Sequence, residues 1–196
     1  MTEFSINGIA IIMGYAFGSI PFGLIFAKLL GHGDIRKIGS GNIGATNALR
    51  TGSKKLAILT LLFDISKGIA PVIIARCFLP EATVIAGLGA ILGHCFPIWL
   101  KFKGGKGVAT TIGVILAISP LLGLAVIATW FAMAFTFKIS SLAALVSVLL
   151  APIYTYFIID AKNALLVLLI TAIVWIRHKD NIVRILKKEE KRIGEK

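Results

Sequence analysis

The chain contains 196 residues, 57% of them hydrophobic and only 15% charged, and its mean hydropathy is +0.91. Soluble domains carry about a quarter of charged residues, so this composition excludes a soluble protein and predicts one integral membrane domain over residues 1–196. The formal net charge of +12 is spread over the loops. In a membrane protein such charge indicates orientation and contact with anionic lipid, and we expect no nucleic-acid partner.

The N-terminal stretch and the two cysteines predict neither processing nor crosslinking. Met1–Asn7 has no basic segment, so we expect no cleaved signal peptide. Cys77 and Cys95 lie near the ends of apolar segments, without a neighbouring cluster of metal ligands. We therefore expect neither a disulfide framework nor a metal site, and we assign both cysteines to packing.

Apolar segments recur along the chain and predict an all-α bundle of about seven membrane helices. They cover about residues 5–30, 56–76, 82–100, 108–118, 121–137, 142–159 and 164–177. The fourth is too short to cross a membrane, because its 11 residues, rising about 1.5 Å each, span roughly half of the hydrocarbon core. Since it ends at Ser119 and Pro120, segments four and five are predicted to form a short helical hairpin.

Positive charge is strongly asymmetric if this hairpin returns to its starting side. All but three of the 21 Lys and Arg residues then fall on one side of the membrane. The exceptions are Arg76 and Lys162 on the other side and Lys67 within a span. Because cytoplasmic loops carry the excess of Lys and Arg, the N-terminus is predicted to be outside and the C-terminus in the cytoplasm.

The first cytoplasmic loop contains a glycine-rich stretch, Gly39–Arg50. Its small polar residues offer backbone and side-chain donors, and Arg50 adds a guanidinium fork suited to phosphate. The stretch is not a Walker A loop, because no Gly-Lys-Ser/Thr stands at the required spacing. It also lacks the register and the preceding strand of a dinucleotide fingerprint. A nucleotide site is therefore disfavoured.

A second glycine-rich loop, Lys101–Thr111, separates two almost wholly apolar segments. Gly104, Gly105 and Gly107 lack side chains, so that peptide N–H groups can approach a ligand closely. A helix predicted to begin at about Val108 would point its positive end back at the loop lysines. The loop is suited to hold a phosphate; the alternative is a simple turn at the membrane border.

A third polar group lies where the last span ends, in Trp175–Arg184. On a continuing helix Arg177, Asn181 and Arg184 would share a face, with His178 close by. The alternative is a stop-transfer charge cluster followed by an amphipathic tail on anionic lipid. That alternative explains the basic tail, but His178 and Asn181 would add little to membrane anchoring.

A smaller polar patch, Lys138–Ser141, is predicted on the same side of the membrane. Its serines either cap the following helix or reach a ligand with a hydroxyl. Four patches on one side, each rich in groups that bind anions, indicate one shared site at the cytoplasmic border. One phosphate would not need so many cations, so two phosphate-bearing ligands are expected.

Ionisable residues also occur inside the apolar segments. Thr60, Asp64 and Lys67 recur at i, i+4 and i+7 in the second span, which places them on one helix face. Such groups are costly in a membrane and usually face the protein interior. They form either a structural Asp64–Lys67 pair or part of the site. His94 is interpreted mainly as a hydrogen-bonded structural histidine, with a ligand or base as the alternative.

Small residues four apart predict close helix packing. The first span carries Gly14 and Gly18, and the third carries Gly89 and Gly93. This spacing lets helix backbones approach one another in membranes. We assign these glycines no chemistry.

Taken in order, these motifs resemble those of the bacterial acyl-phosphate:glycerol-3-phosphate acyltransferase family, over essentially the whole chain. The matching stretches are Gly39-Ser-Gly-Asn-Ile-Gly-Ala-Thr-Asn47, Gly93-His94 through Lys101-Phe-Lys-Gly-Gly-Lys-Gly-Val-Ala-Thr110, Arg177-His178 to Asn181-Ile182, and Phe63-Asp64 with Lys67-Gly68. Each loop alone is a weak signal, but together they are specific.

The resemblance implies an integral membrane enzyme of the bacterial plasma (inner) membrane, with its active site at the cytoplasmic face. Residues 1–196 would form the catalytic domain, with an amphipathic basic tail from about residue 178. The reaction would move a fatty acyl group from acyl phosphate to the 1-hydroxyl of glycerol 3-phosphate. Both substrates, membrane lipid and the enzyme that supplies acyl phosphate are the implied partners. No cofactor is expected.

Carried onto this sequence, the resemblance implies three groups of site residues. The catalytic group is Lys106, His178, Asn181 and Arg50. The substrate-binding group is Ser40, Asn42, Thr46, Asn47, Lys103, Gly104, Gly105, Gly107 and Ser141. Asp64, Lys67 and His94 are expected to be structural or to support the site.

The chemistry of an acyl phosphate agrees with these residue types. The donor is already activated, so the enzyme must chiefly align hydroxyl and carbonyl and neutralise phosphate charge. None of the three histidines is followed five residues later by an aspartate, so no His-x-x-x-x-Asp dyad is present. Either His178 or a phosphate oxygen of a substrate would take the hydroxyl proton, and the sequence does not choose between them.

Two other classes of function compete with this interpretation. A transporter for a phosphorylated metabolite would use Asp64, Lys67 and the broken fourth segment as a midplane site. The clustering of polar motifs on one side and the lack of a convincing inverted repeat argue against it. A structural lipid-binding protein would not account for His178 and Asn181 beside two phosphate-suited loops.

Overall fold

The computed structural model describes residues 2–194, and every regular element within that range is helical. Apolar segments in a bilayer must satisfy their own backbone hydrogen bonds, which favours helices. The α-helices of this range are α1 (Glu3–Gly18), α2 (Phe22–Leu29), α3 (Ala45–Ala48), α4 (Lys54–Phe78), α5 (Thr83–Cys95), α6 (Val108–Ile118), α7 (Pro120–Phe137), α8 (Ser140–Ile158), α9 (Ala161–Arg177) and α10 (Lys179–Leu186).

Five segments of the described chain are long and apolar enough to cross a membrane. They are Glu3–Leu29, Lys54–Phe78, Pro80–Leu100, Pro120–Phe137 and Ser140–Ile158. The pair α9 and α10 adds a sixth only if both helices are counted as one broken span. The all-α membrane bundle is confirmed, whereas the predicted count of seven membrane helices is not.

The first predicted span, residues 5–30, is divided at Pro21 into α1 and α2. Proline cannot donate a helical hydrogen bond, and its ring clashes with a continuing helix, so carbonyl groups at the break need other partners. The Ile20 carbonyl accepts from Nζ of Lys67 at 2.8 Å. The Ser19 carbonyl accepts from Nε1 of Trp99, also at 2.8 Å. The break therefore attaches α1 to two distant parts of the chain.

The paired glycines bring α1 and α5 into backbone contact, as their spacing predicts. A Cβ at Gly14 or Gly18 would overlap backbone atoms of α5, and one at Gly89 or Gly93 would overlap backbone atoms of α1. The two pairs thus face each other. Small residues at such contacts allow close van der Waals packing in membranes.

Helices α6 and α7 form the predicted hairpin. Their junction is Ser119, whose side chain accepts from the N–H of Leu122 at 3.4 Å and caps α7. At the same junction Nη2 of Arg76 donates to the carbonyl oxygens of Ala117 and Ile118, the latter at 2.9 Å. These bonds fix the C-terminal end of α6 and leave its N-terminal end beside the second glycine-rich loop.

Candidate active site

The first glycine-rich loop is organised around the buried side chain of Asn47. Its Nδ2 donates to the carbonyl oxygens of Ile35 and Asn42 at 2.7 and 2.8 Å. Its Oδ1 accepts from the N–H of Ser40 at 2.9 Å and from the Ser40 hydroxyl at 3.3 Å. An asparagine amide has two donors and one acceptor oxygen, so all hydrogen-bonding groups of this side chain are bonded within the loop region. A direct contact between Asn47 and a substrate would have to break these bonds.

Arg50 lies at the end of the same loop and packs against Gly39. The backbone at Gly39 has φ of +55°, and a Cβ there would meet Oδ1 of Asn47 and the side chain of Arg50. Glycine is therefore needed both for the backbone conformation and for the approach of the arginine. Arg50 and Thr46 are exposed, and Asn42 is partly exposed. The loop thus presents polar side chains from a rigid frame.

Two peptide N–H groups of the second loop are already hydrogen-bonded within the protein. The N–H of Gly104 donates to the Cys95 carbonyl at 3.2 Å, and that of Gly105 donates to the His94 carbonyl at 3.0 Å. The expectation that these two amides are available to a ligand is therefore wrong. The loop instead ends in a left-handed residue, Gly107, with φ of +88°. Helix α6 then begins at Val108 as predicted, and its first-turn N–H groups lack carbonyl partners within the helix.

The third motif is bent rather than continuous. Helices α9 and α10 meet at His178 with an angle of 64°, so the prediction that Arg177 shares one helix face with Asn181 is wrong. Arg177 turns to the second loop, where Nη2 donates to the Gly104 carbonyl at 2.8 Å and Nε to the Gly105 carbonyl at 3.1 Å. A guanidinium fork therefore joins the end of α9 to the loop.

His178 is buried at this bend, and its hydrogen bond fixes the ring. Nδ1 lies 2.7 Å from the Val174 carbonyl oxygen. Because a carbonyl only accepts, Nδ1 carries the proton, and Nε2 of the neutral ring keeps its lone pair. The histidine can therefore accept a proton or a hydrogen bond through Nε2.

Glu190, which follows α10, was not anticipated as a site residue. Its Oε1 accepts from Oγ of Ser141 at 2.7 Å and from Nδ2 of Asn181 at 2.5 Å, and its Oε2 accepts from Nε of Arg184 at 2.6 Å. Burial favours the neutral carboxyl, but these three donors outweigh it and lower the pKa of Glu190. The Ser141 hydroxyl thus bonds to the C-terminal tail, while α8 has Ile139 and not a serine as its N-cap.

Lys106 lies within electrostatic range of charges from the first loop and from the C-terminal segment. Burial lowers the pKa of its ammonium group to about 8. The negative charge of Glu190 opposes this shift, whereas the positive charges of Arg184 and Arg50 add to it. The three motifs therefore converge on Lys106, and Arg50 and Arg184 stand close enough to repel its charge. An anionic ligand would relieve that repulsion.

The buried ionisable residues of the spans lie behind the second loop. Nζ of Lys67 pairs with Oδ1 of Asp64 at 2.7 Å, with both side chains almost wholly buried. Nδ1 of His94 lies 3.2 Å from Oγ1 of Thr110 and 3.8 Å from the Asp64 carboxylate. A Cβ at Gly105 would overlap the His94 ring. We interpret Asp64, Lys67 and His94 as the packed support on which the loop rests.

One residue of the predicted site lies apart from this cluster. Lys103 is exposed on the loop surface, unlike the partly buried Lys106. Within residues 2–194, no group of three His, Cys, Asp or Glu side chains is arranged to hold a metal ion. The arrangement offers cations, amides, His178 and several hydroxyl groups, which suit the binding of phosphate groups and the transfer of a proton.

Comparisons with known proteins agree over nearly the whole chain. The family model described as glycerol-3-phosphate acyltransferase matches residues 8–188. Glycerol-3-phosphate acyltransferase of Mesorhizobium japonicum is 53% identical over 188 residues, which are 96% of each chain. The enzyme of the same name from Sinorhizobium fredii is 55% identical over 188 residues, 96% of this chain and 93% of the relative.

A solved structure shows the same agreement in three dimensions. The crystal structure of PlsY (YgiH), described as an integral membrane glycerol 3-phosphate acyltransferase in its glycerol 3-phosphate form, matches with a TM-score of 0.90 at 36% identity over 96% of both chains. The lysophosphatidic acid form gives a TM-score of 0.89 at 35% identity. Family match, sequence identity and fold all point the same way: the chain belongs to the integral membrane glycerol-3-phosphate acyltransferase family and is an acyltransferase.

Proposed function

We propose that this glycerol-3-phosphate acyltransferase uses acyl phosphate as its donor. It transfers the fatty acyl group to the 1-hydroxyl of glycerol 3-phosphate and forms 1-acylglycerol 3-phosphate (lysophosphatidate) and inorganic phosphate, an early step of phospholipid synthesis. The existence of a lysophosphatidic acid form of a solved relative supports the product. The whole chain then acts as a single catalytic domain.

The observation that carries the donor assignment is the convergence of cations from three separate motifs. Arg50 and Arg184 each lie within electrostatic range of Lys106, as does Glu190. One glycerol 3-phosphate would need fewer cations than this. A second phosphate, on the acyl donor, accounts for the excess, because phosphate groups favour arginine forks and lysine point charges.

The reaction needs alignment and charge stabilisation more than an activated nucleophile. The oxygen of the 1-hydroxyl attacks the acyl carbonyl carbon, the bond from that carbon to the phosphate oxygen breaks, and phosphate leaves with the bonding electrons. The hydroxyl proton passes to Nε2 of His178 or to a phosphate oxygen of a substrate. Lys106, Arg50 and the first-turn amides of α6 stabilise the negative charge that grows on the leaving phosphate.

The remaining site residues have supporting roles in this scheme. Ser40, Asn42 and Thr46 present polar groups from the first loop, whose shape Asn47 maintains. Gly104 and Gly105 hold the second loop close to the end of α5. Gly107 gives α6 its starting conformation. Lys103 is exposed and serves long-range attraction of anionic substrates.

The distribution of Lys and Arg supports a defined orientation of the protein in its membrane. We place the protein in the bacterial plasma (inner) membrane, with the N-terminus outside and the active site and C-terminus at the cytoplasmic face. The acyl chain enters from the lipid, and the enzyme that makes acyl phosphate is a natural neighbour, because the donor is itself a membrane amphiphile. The relatives named above are bacterial.

The test is direct transfer with purified protein. Palmitoyl phosphate and labelled glycerol 3-phosphate should give labelled lysophosphatidate and an equal amount of phosphate, and Lys106→Ala should lower kcat/KM by about tenfold or more. Lys162→Ala, an exposed lysine remote from the site, is the matched control. Activity with a palmitoyl thioester but not with palmitoyl phosphate would overturn the donor assignment. Uptake of glycerol 3-phosphate into sealed vesicles without transfer would favour a transporter.

A further inference from the structure

The tail after α10 folds back onto the site through Glu190. The N–H of Ile193 donates to the Lys138 carbonyl at 2.6 Å, which holds the tail against the turn before α8. The Glu190 side chain is only 11% exposed, and its carboxylate receives hydrogen bonds from Ser141, Asn181 and Arg184. A carboxylate from the tail is thus built into the polar cluster.

This contact fixes which way the Asn181 amide points. An ionised carboxylate can only accept hydrogen bonds, so the amide atom that faces it must be the donor, Nδ2. The amide oxygen Oδ1 is therefore turned to the opposite side. Asn181 is 4% exposed, and its Oδ1 is a buried atom without a hydrogen-bond partner in the described part of the chain. A buried acceptor left unpaired is unfavourable, so this oxygen is one that a ligand would satisfy.

The chemistry of the substrate identifies the group that reaches it. A fully ionised phosphate has no proton to donate, whereas the glycerol hydroxyls of glycerol 3-phosphate do. Resting on the proposed function, we propose that Glu190 is a positioning residue that locks the Asn181 amide so that Oδ1 accepts a hydrogen bond from a substrate hydroxyl. Glu190 acts through Asn181 and does not touch the substrate.

Exchanging the amide of Asn181 and the carboxylate of Glu190 distinguishes a positioning role for Glu190 from a merely structural one. In Glu190→Gln, the Arg184 donor selects the new amide oxygen, so the new NH₂ group faces position 181. Asn181 must then turn its own oxygen to that group and present NH₂ to the substrate. In Asn181→Asp, two carboxylates face each other and repel.

The double exchange Asn181→Asp with Glu190→Gln restores the pattern of donors and acceptors. The new amide donates to the new carboxylate and to Oγ of Ser141, while its oxygen accepts from Arg184. The second carboxylate oxygen at position 181 is then again an acceptor that faces the substrate. The number of charges is also unchanged from wild type.

The experiment measures transfer from palmitoyl phosphate with each purified variant. Each single substitution should lower kcat/KM for glycerol 3-phosphate by about tenfold or more, the double exchange should recover to within about fivefold of wild type, and KM for palmitoyl phosphate should change by less than about twofold. Glu189→Gln, the exposed neighbour, should behave as wild type. A double exchange no better than the worse single variant would overturn the proposal.

A second measurement does not depend on changing Glu190. Propyl phosphate carries the phosphate but no hydroxyl, so Asn181→Ala should leave its inhibition constant within about twofold of wild type while KM for glycerol 3-phosphate rises about tenfold or more. Equal weakening of both ligands would place the phosphate, and not a hydroxyl, at Asn181 and overturn the proposal. If wild-type protein forms no lysophosphatidate from palmitoyl phosphate, it is the proposed function that fails.

Discussion

The guanidinium of Arg177 is hydrogen-bonded to the backbone of Gly104, although the two residues are 73 positions apart in the chain. Nη2 donates to that carbonyl, and Nε donates to the next one. The ring of Phe96 lies 5.4 Å from the same guanidinium. Two donors in a fixed plane hold both the distance and the orientation of the loop that carries Lys106. Arg177 is therefore a positioning residue for the second motif.

This contact predicts that lysine cannot replace arginine here. Arg177→Lys keeps the charge but loses the fork, so the loop should shift and kcat/KM for glycerol 3-phosphate should fall by about tenfold or more. Steady-state kinetics on folded protein measure the effect. The exposed Lys179 provides the control, because Lys179→Ala changes a neighbouring charge without touching the loop. Wild-type kinetics for Arg177→Lys would mean that the loop holds its position without the fork.

The lowered pKa of Lys106 predicts an alkaline limit to activity. With a pKa of about 8, Lys106 is charged below about pH 8 and neutral above it, and only the charged form pairs with phosphate. Because the second pKa of a phosphate monoester is about 6, the substrate does not change charge in this range. kcat/KM for glycerol 3-phosphate should therefore fall about tenfold per pH unit above about pH 8.

Lys106→Arg tests the assignment of that limit. Arginine stays charged throughout the accessible pH range, so the alkaline fall should disappear from the profile whatever the absolute rate of the variant. An alkaline limb with the same midpoint in Lys106→Arg would assign the titration to another group.

Much of the fold follows from local chemistry that the sequence displays. The start of α6 at Val108 and the hairpin at Ser119 were predictable because glycine and proline act on their immediate neighbours. The apolar lengths gave the spans to within a few residues. The apolar pattern continues through Pro21 and predicts one unbroken span there, although the proline itself is a signal for a break.

The internal arrangement of the site depends on contacts that sequence spacing does not contain. The bend at His178 separates Arg177 from Asn181, because Arg177 bonds to the second loop and Asn181 bonds to the tail after α10. Glu190 lies in the basic stretch Lys187–Arg192 and looks like part of a solvated tail. Its role arises only because the tail folds back to Lys138. The only signal in this stretch is a pair of adjacent acidic residues, Glu189 and Glu190, among basic ones.

The proposed orientation can be tested with a cysteine that the chain already carries. Cys77 is exposed at the end of α4 that lies away from the site, so a membrane-impermeant thiol reagent should label it from outside intact cells. In Cys77→Ser with Lys187→Cys, labelling should require permeabilised cells. Rapid labelling of the tail cysteine in intact cells would invert the topology.

The hydrogen bond from Nδ1 of His178 to the Val174 carbonyl bears on which group receives the hydroxyl proton. Because Nδ1 is occupied by this bond, Nε2 is the only atom of the ring that can accept the proton. If Nε2 takes it, His178→Ala should lower kcat by about 10²–10⁴-fold with little change in KM for glycerol 3-phosphate. If a phosphate oxygen of a substrate takes it, His178→Ala should chiefly raise KM.

The two outcomes separate cleanly when kcat is measured at saturating concentrations of both substrates. His32→Ala, in the exposed part of the first loop, controls for loss of an unrelated histidine and should leave kcat and KM unchanged. An unchanged thermal unfolding midpoint would exclude misfolding of the variant, which matters because His178 is buried. A His178→Ala variant with wild-type kcat and wild-type KM would remove the histidine from the site and leave Lys106 and Arg50 to act on the phosphates alone.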